Sequence, residues 1–265
     1  AVVGALRQPA QPGQWVQGGG RAVVHGETHV GVGHRLDEEN ERVFRFFKDQ
    51  GYTKKEITPL IEENINLGTV LGKASRNWDG GYVMAGMVGH GDAFVMRDPA
   101  GIRPAFYYID EEVVVAASER PVIQTIFNVR TDKVIELPPA SAMIVKASGE
   151  TSIEQIRDSA PPRKCSFERI YFSRGTDKDI YRERKKLGEL LTHPVLRAVN
   201  YDTDNTVFSY IPNTAESAFY GLIKGVEDYL NQSKIDEIAR KGNTLTREQI
   251  TGIINHRPIV EKIAV

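Results

Sequence analysis

Between residues 82 and 117 short apolar runs alternate with polar turns. Residues 82–88 form a run of strand length, and Gly89-His90-Gly91-Asp92 is a turn rich in residues that tolerate positive φ. Residues 93–96 run back. Asp98-Pro99-Ala100-Gly101 makes a second turn, with Pro at its second position and Gly at its fourth. Residues 104–109 and 113–117 form another hairpin. Both pairs are nearly continuously apolar, which predicts strands buried on both faces or packed sheet on sheet. The polar residues gather at the turns, as Arg97, Asp98 and Arg103 and as Ser118 and Glu119.

Helical spacing flanks these strands. Residues 37–50 carry Val43, Phe44, Phe46 and Phe47 among charges, an amphipathic helix closed by Gly51. Residues 54–64 and 66–78 are two further helices, the first with Pro59 as a break or early-turn residue. A short helix runs from Ser118 to 127, with Glu119 and Pro121 in its first turn. Residues 134–137 and 142–146 return to strand character, and 157–164 (RDSAPPRK) is a linker or surface loop. Beyond it the pattern predicts a strand at 167–172. A long charged helix follows at 179–200, with Tyr181, Leu187, Leu190 and Leu191 as its apolar stripe. Next come a buried strand at 207–211 and a helix ending near 230. Asn213 and Glu216 have capping-box spacing at the start of that helix. Two more helices, 233–241 and 246–255, follow.

The first 33 residues differ from the rest. They are rich in Gly, Pro, Gln and Val, contain no Lys, and show neither a helical stripe nor strand alternation, which predicts poor order. His25 and His29 have helical ligand spacing, but Gly26 and the lack of a helix signal argue against a metal site.

The 265 residues are 40% hydrophobic and 26% charged, with net charge −1, enough for one large or two small soluble domains. Near-zero charge gives no sign of a nucleic-acid surface, and no apolar run is long enough to span a bilayer. The single cysteine, Cys165, cannot form an intramolecular disulfide, which fits a cytoplasmic protein. Arg97, Asp98 and Arg103 have two readings at this point. They form a salt-bridged corner, or they act directly in function.

The segments DGGYVMAGMVGHGDAFVMRDPAGIRP, ASERPVIQT, CSFERIYFSRG and IYRERKKLG, in that order, resemble the amidophosphoribosyltransferase family. The resemblance covers about residue 37 onward. It marks Asp79, Arg97, Asp98, Arg103, Ser118 and Glu119 as motif residues of the later part of a class II glutamine amidotransferase domain. It implies a mixed α+β and α/β chain. Residues 34–157 would be part of a four-layer αββα glutaminase domain of Ntn-hydrolase type, and residues 165–265 the opening part of an α/β phosphoribosyltransferase domain. Residues 1–33 would be atypical, disordered or mis-translated.

The family takes glutamine and phosphoribosyl pyrophosphate (PRPP) and makes phosphoribosylamine. Ammonia passes from the first domain to the second. The resemblance therefore implies glutamine and PRPP as substrates, magnesium as cofactor and a homo-oligomer, with no nucleic-acid or membrane partner. It does not place the catalytic site on this chain. The family nucleophile is an N-terminal cysteine, and residue 1 is Ala1. Cys165, at the domain junction, is read as a free thiol rather than an iron–sulfur ligand. A PRPP site needs a strand, two adjacent acids and a Gly/Thr-rich loop. Residues 107–112 have the strand and the acids, but Val113 to Val115 follow. One element matches. IPNTAE, residues 211–216, lies where the family has a strand-end turn near the PRPP magnesium, with Thr214 at the metal position. The bland alternative is that Thr214 and Asn213 only cap the helix. The expectation is a fragment without glutaminase or transferase activity. The rival is a non-catalytic interaction or regulatory homologue that keeps the fold.

Overall fold

The computed structural model describes residues 4–7 and 26–263, and side chains from residue 31 onward. The chain divides into two compact units, Ala1–Ser166 and Phe167–Val265.

In the first unit, strand β1 (Gly4–Arg7) is followed by helices α1 (Gly26–Asp49), α2 (Lys54–Asn64) and α3 (Leu67–Ala74). Strands β2 (Val83–Met87), β3 (Ala93–Arg97), β4 (Phe106–Ile109) and β5 (Val113–Ala117) come next. Helix α4 (Arg120–Phe127) precedes β6 (Ile135–Glu136), β7 (Ser141–Val145) and β8 (Thr151–Gln155). The strands form two antiparallel sheets, ordered β1-β5-β4-β6 and β2-β3-β7-β8.

The sheets pack face to face. Ala93, Val95, Met143 and Val145 of one meet Tyr107, Val114 and Ala116 of the other. The opposite face of the first sheet, with Phe94, Met96, Ala142 and Ile144, is covered by Val32 and Leu36 of α1, Ile61 of α2 and Leu67 and Leu71 of α3. The opposite face of the second, with Phe106, Tyr108, Val115 and Ala117, is covered by Ile123 and Phe127 of α4. Each central strand is therefore apolar on both faces, so its sequence shows a run rather than an alternation.

The first unit departs from the sequence reading in three places. Helix α1 begins at Gly26 rather than 37, because Val32, Leu36 and Val43 make one apolar stripe through a stretch whose glycines weaken the helix signal. Residues 4–7 pair with β5. Within 1–33, then, strand and helix occupy 4–7 and 26–33. The rest of that reading, like the His25 and His29 side chains, lies outside the described residues. Strand β8 carried no apolar pattern because it is a polar edge strand, TSIEQ.

In the second unit a wide helical turn (Glu168–Phe172) leads to α5 (Lys178–Ala198), β9 (Val207–Phe208), α6 (Glu216–Lys241), α7 (Arg247–Asn255) and β10 (Ile259–Val260), which pairs parallel with β9. Residues 167–172 are thus not a strand; Ser173 N donates to Glu168 O at 2.7 Å, five residues back. The core joins Leu196 of α5 to Phe208, Phe219, Val226 and Leu230.

The stripe assigned to α5 is also corrected. Tyr181, Leu187, Leu190 and Leu191 are exposed, Leu190 at 64%, and the buried face is Ile180, Arg184, Gly188, Thr192 and Leu196. Helices α5 and α6 cross on glycine. A Cβ on Gly188 would overlap the Ala218 carbonyl oxygen and lie 2.6 Å from its carbon. One on Gly221 would overlap the Lys185 carbonyl oxygen in the same way, 2.8 Å from its carbon. Backbone-to-backbone packing, not leucine, sets which face turns inward.

Candidate functional site

Two places hold the polar residues singled out in the sequence. The first is the turn after β3. Pro99 and Gly101 shape it, and Gly101 sits at φ +62°, where a side chain would be strained and would also strike Pro139. Asp98 is 0% exposed. Its Oδ1 accepts from Ala100 N at 3.2 Å and Ile102 N at 2.8 Å, and its Oδ2 from Arg103 N at 3.0 Å.

Arg97, 3% exposed, collects acceptors instead. It donates to the carbonyls of Arg103 at 2.7 Å, Leu137 at 2.6 Å and Gly101 at 3.1 Å, and pairs with Glu136 at 2.8 Å. One residue ties the turn's amides and its neighbour ties the carbonyls. The turn is thereby tied as a closely hydrogen-bonded corner. Its ion-pair partner, Glu136, lies outside the motif, and carbonyl acceptors such as Leu137 leave no side-chain signal in a sequence. Asp79 is exposed and accepts from Gly80 N at 2.7 Å, while the neighbouring Gly81 packs against Ile102 and Arg103. Ser118 and Glu119 stand between β5 and α4, with Glu119 as the N-terminal flanking residue of the helix. Cys165 is half-buried, and its N–H reaches Ile102 O at 3.5 Å.

The second place is a cleft of 840 Å³ in the second unit, between the 173–176 turn and the starts of α5 and α6. Arg174, Lys178, Arg182 and Arg184 give it positive charge, and Tyr171, Tyr181 and Tyr220 line it with rings. Thr214 is half-buried at its edge, beside Ser217.

The capping-box expectation fails here. Ala215 precedes the first residue of α6 without a side-chain cap, and Glu216 turns away from the backbone. Its Oε1 accepts from Tyr210 Oη at 3.1 Å and Tyr220 Oη at 2.9 Å. That hydrogen bond holds the Tyr220 phenol above its ordinary pKa. For Tyr210, burial comes first and the Glu216 bond second, in the same direction. The tyrosine partners were missed because they lie six residues before and four after Glu216, outside any capping pattern.

The cleft does not fit magnesium by itself. It offers neutral Thr214 and one engaged carboxylate amid cations, and among the described residues no three His, Cys, Asp or Glu side chains converge on a metal position.

Comparison with known proteins gives the chain its relatives. It is 30% identical over 167 residues to the amidophosphoribosyltransferase of Escherichia coli (strain K12), a match covering 59% of this chain and 32% of that protein. The chain is similar to amidophosphoribosyltransferases. The enzyme of that name from Lachancea kluyveri is 30% identical over 157 residues, covering 54% of this chain and 29% of the relative. The matched stretch therefore spans about a third of the length of these curated amidophosphoribosyltransferases. No protein-family model matches.

Among solved structures, glutamine PRPP amidotransferase from B. subtilis complexed with ADP and GMP aligns with TM-score 0.47 and 21% identity, over 74% of this chain and 42% of that one. A structure described as the allosteric regulatory enzyme of purine biosynthesis aligns with TM-score 0.49 and 21% identity, over 71% and 41%. Among the described residues no helix is long and apolar enough to cross a membrane.

Proposed function

We propose that this chain is a portion of a cytoplasmic amidophosphoribosyltransferase, the enzyme that makes phosphoribosylamine from PRPP and glutamine. The observation that carries the reading is the 30% identity to two proteins of that name over more than half of the chain. In this reading the first unit is the later part of an Ntn-hydrolase-type αββα glutaminase domain. Its two facing sheets with helices on their outer sides support that layering. The second unit is the opening of the phosphoribosyltransferase domain. Glutamine and PRPP are the substrates of the whole protein, which works as a homo-oligomer.

Magnesium, if carried by the diphosphate of PRPP, would be held mainly by substrate phosphates, and Thr214 would be the residue at the cleft edge nearest to it in kind, a hydroxyl oxygen donor. The turn that holds Arg97, Asp98 and Arg103 braces the glutaminase scaffold and performs no chemistry. The 265-residue chain alone carries out neither half-reaction. Its single thiol, Cys165, lies mid-chain, and no Gly/Thr-rich phosphate loop follows an acidic pair.

The test has two arms. Protein purified from the native source and containing this sequence is assayed for glutamate and pyrophosphate release from glutamine plus PRPP, and the 265-residue chain is assayed beside it. Activity in the first arm and none in the second is the expected result. A native protein that consumes neither substrate would overturn the family reading, and turnover by the isolated chain would overturn the inactivity.

A further inference from the structure

Helix α5 carries two packing faces. The first, Ile180, Arg184, Gly188, Thr192 and Leu196, is buried, and its glycine meets α6. The second holds Leu187, Leu190, Leu191, Pro194 and Ala198, which fall within about 100° of arc at 3.6 residues per turn. That arc has the width of a helix-packing stripe. Yet its three leucines are between 41% and 64% exposed, so no described element covers them.

The wide turn before α5 extends this surface. Phe167, Ile170, Tyr171 and Phe172 are all exposed, and the rings of Phe167, Tyr171 and Phe172 lie 5.2 to 5.6 Å from one another. The turn is fastened to α5 one helical turn before Leu187. The Arg169 side chain donates to the Glu183 carboxylate, and Arg184 Nε donates to Arg169 O at 3.0 Å. The two sets of apolar side chains therefore join at Glu183 and Arg184. An exposed apolar surface of this kind, rimmed by charge, marks an interaction site.

Charge selects the occupant. Along the leucines the solvent flank of α5 holds Arg182, Lys186, His193 and Arg197. Its acid there is Glu189, which Lys186 already engages at 2.9 Å. A second copy of the chain, packed antiparallel, would set this basic flank against itself. Packed parallel, it would meet the side of α5 where α6 and the 168–172 turn already lie.

We propose that this surface docks an amphipathic helix of another protein, one whose apolar stripe lies on the α5 leucines and whose flank is acidic. The partner's apolar positions recur at i, i+3, i+4 and i+7 to match Leu187, Leu190 and Leu191. Its carboxylates face Arg182 and Arg197, fixing its direction and rejecting basic helices. The aromatic rings of the turn receive one end of the partner helix. The inference rests on this surface alone and stands whether or not the amidotransferase reading holds.

The experiment uses two designed, fluorescently labelled helical peptides with the same leucine stripe, one flanked by Glu and one by Lys. Each is titrated by anisotropy with the 265-residue chain and with protein from the native source that contains this sequence. Saturable binding of the Glu peptide to both proteins is expected, at least about tenfold tighter than the Lys peptide, with the difference shrinking in high salt. Leu190→Ser, at an exposed position, should keep the melting temperature and weaken binding about tenfold or more, the scale of one buried leucine side chain. Arg197→Glu should narrow the preference between the peptides. If a variant fails to fold, the two peptides on the unmutated chain still decide. Equal binding of both peptides, or affinity unchanged in folded Leu190→Ser, would overturn the proposal. So would a native protein that binds neither peptide, since its own polypeptide then covers the face, and so would self-association of the chain that Leu190→Ser abolishes, since a second copy is then the occupant.

Discussion

The crossing of α5 and α6 yields the sharpest stability experiment, Gly188→Ala. In an isolated helix the change is favourable by about 1 kcal/mol, because alanine has the higher helix propensity. In this protein the new methyl would overlap the Ala218 carbonyl oxygen, 2.6 Å from its carbon and 2.8 Å from Leu222 N. These are backbone atoms of the facing helix, and no rotamer relieves them. The helices must part by about 1–2 Å, and a gap of that size forfeits a quarter to a half or more of the dispersion energy along the seam. Leu196, Phe219, Val226 and Leu230 lie along it. Overpacking of this kind costs about 1–3 kcal/mol in ordinary cores, and a backbone collision belongs at the upper end, so the net loss expected is about 2–3 kcal/mol.

Two controls calibrate that figure. At Gly225 the obstacle is the Thr192 side chain rather than facing backbone, so Gly225→Ala should cost less than Gly188→Ala, about 1–2 kcal/mol. At Gly252 in α7 nothing lies within 4 Å, and Gly252→Ala should stabilise by about 0.5–1 kcal/mol. Amide hydrogen exchange in α6 and α7 reads this unit separately from the sheets of the other. The exchange rate of the α6 core should rise about thirtyfold or more in Gly188→Ala, a tenfold change being about 1.4 kcal/mol. Unchanged or increased protection in Gly188→Ala, or a larger loss in Gly225→Ala, would refute the view that backbone contact sets this crossing.

Three further outcomes follow from the polar contacts. Arg97→Met should destabilise the first unit by about 2–3 kcal/mol, read by urea unfolding, since it leaves the Arg103, Leu137 and Gly101 carbonyls without their donor, while Glu136 is partly exposed and keeps Lys164 at 3.7 Å; a loss under 1 kcal/mol would deny the corner its role. Asp92 is buried, which alone would raise its pKa, but Lys146, the Ala147 N–H and His90 together hold it below the usual carboxylate range. A depressed folded pKa gives stability that is full above the unfolded value, about 3.9, and is lost as pH falls through the folded value. The melting temperature should therefore drop below about pH 4 and do so less steeply in Asp92→Asn. Glu216→Ala should lower the titration midpoints of Tyr220 and Tyr210, followed by phenolate absorbance, with the larger change at Tyr220, where the carboxylate is the main cause.

The strands of the first unit were legible because their apolar runs end at turns marked by Gly and Pro, and the 98–101 turn could be drawn to the residue. What the sequence hid was carried by atoms without hydropathy. The acceptors of Arg97 are carbonyls as far away as Leu137. The inward face of α5 is decided by Gly188, while the leucines that mimic a stripe, Leu187, Leu190 and Leu191, face outward. FERIYF has the aromatic and β-branched composition of a strand, yet it closes into a helical turn, and Arg184 donates to the carbonyls of Arg169 within it and Ser173 just after it. Helix α1 was cut short because glycine and histidine depressed its signal around Val32 and Leu36. In the cleft, Thr214 was placed from family resemblance, whereas Arg184 could be found only once the turn and the helix were seen to approach each other.

The segment 157–165 leaves the first unit along the Asp98 turn. Arg157 binds the Ser75 carbonyl at 2.6 Å, Ala160 N reaches Pro99 O at 2.9 Å, Arg163 N reaches Ala100 O at 2.9 Å, and Cys165 N reaches Ile102 O. Its side chains are largely exposed, yet its backbone is fastened at intervals. A pull applied beyond Cys165 would therefore open these bonds one after another, like a seam, before any load reached the β-sheets. The polar turn serves as the mechanical anchor of the unit, and tension arriving from the rest of the polypeptide would be dissipated there while the stacked sheets stayed closed.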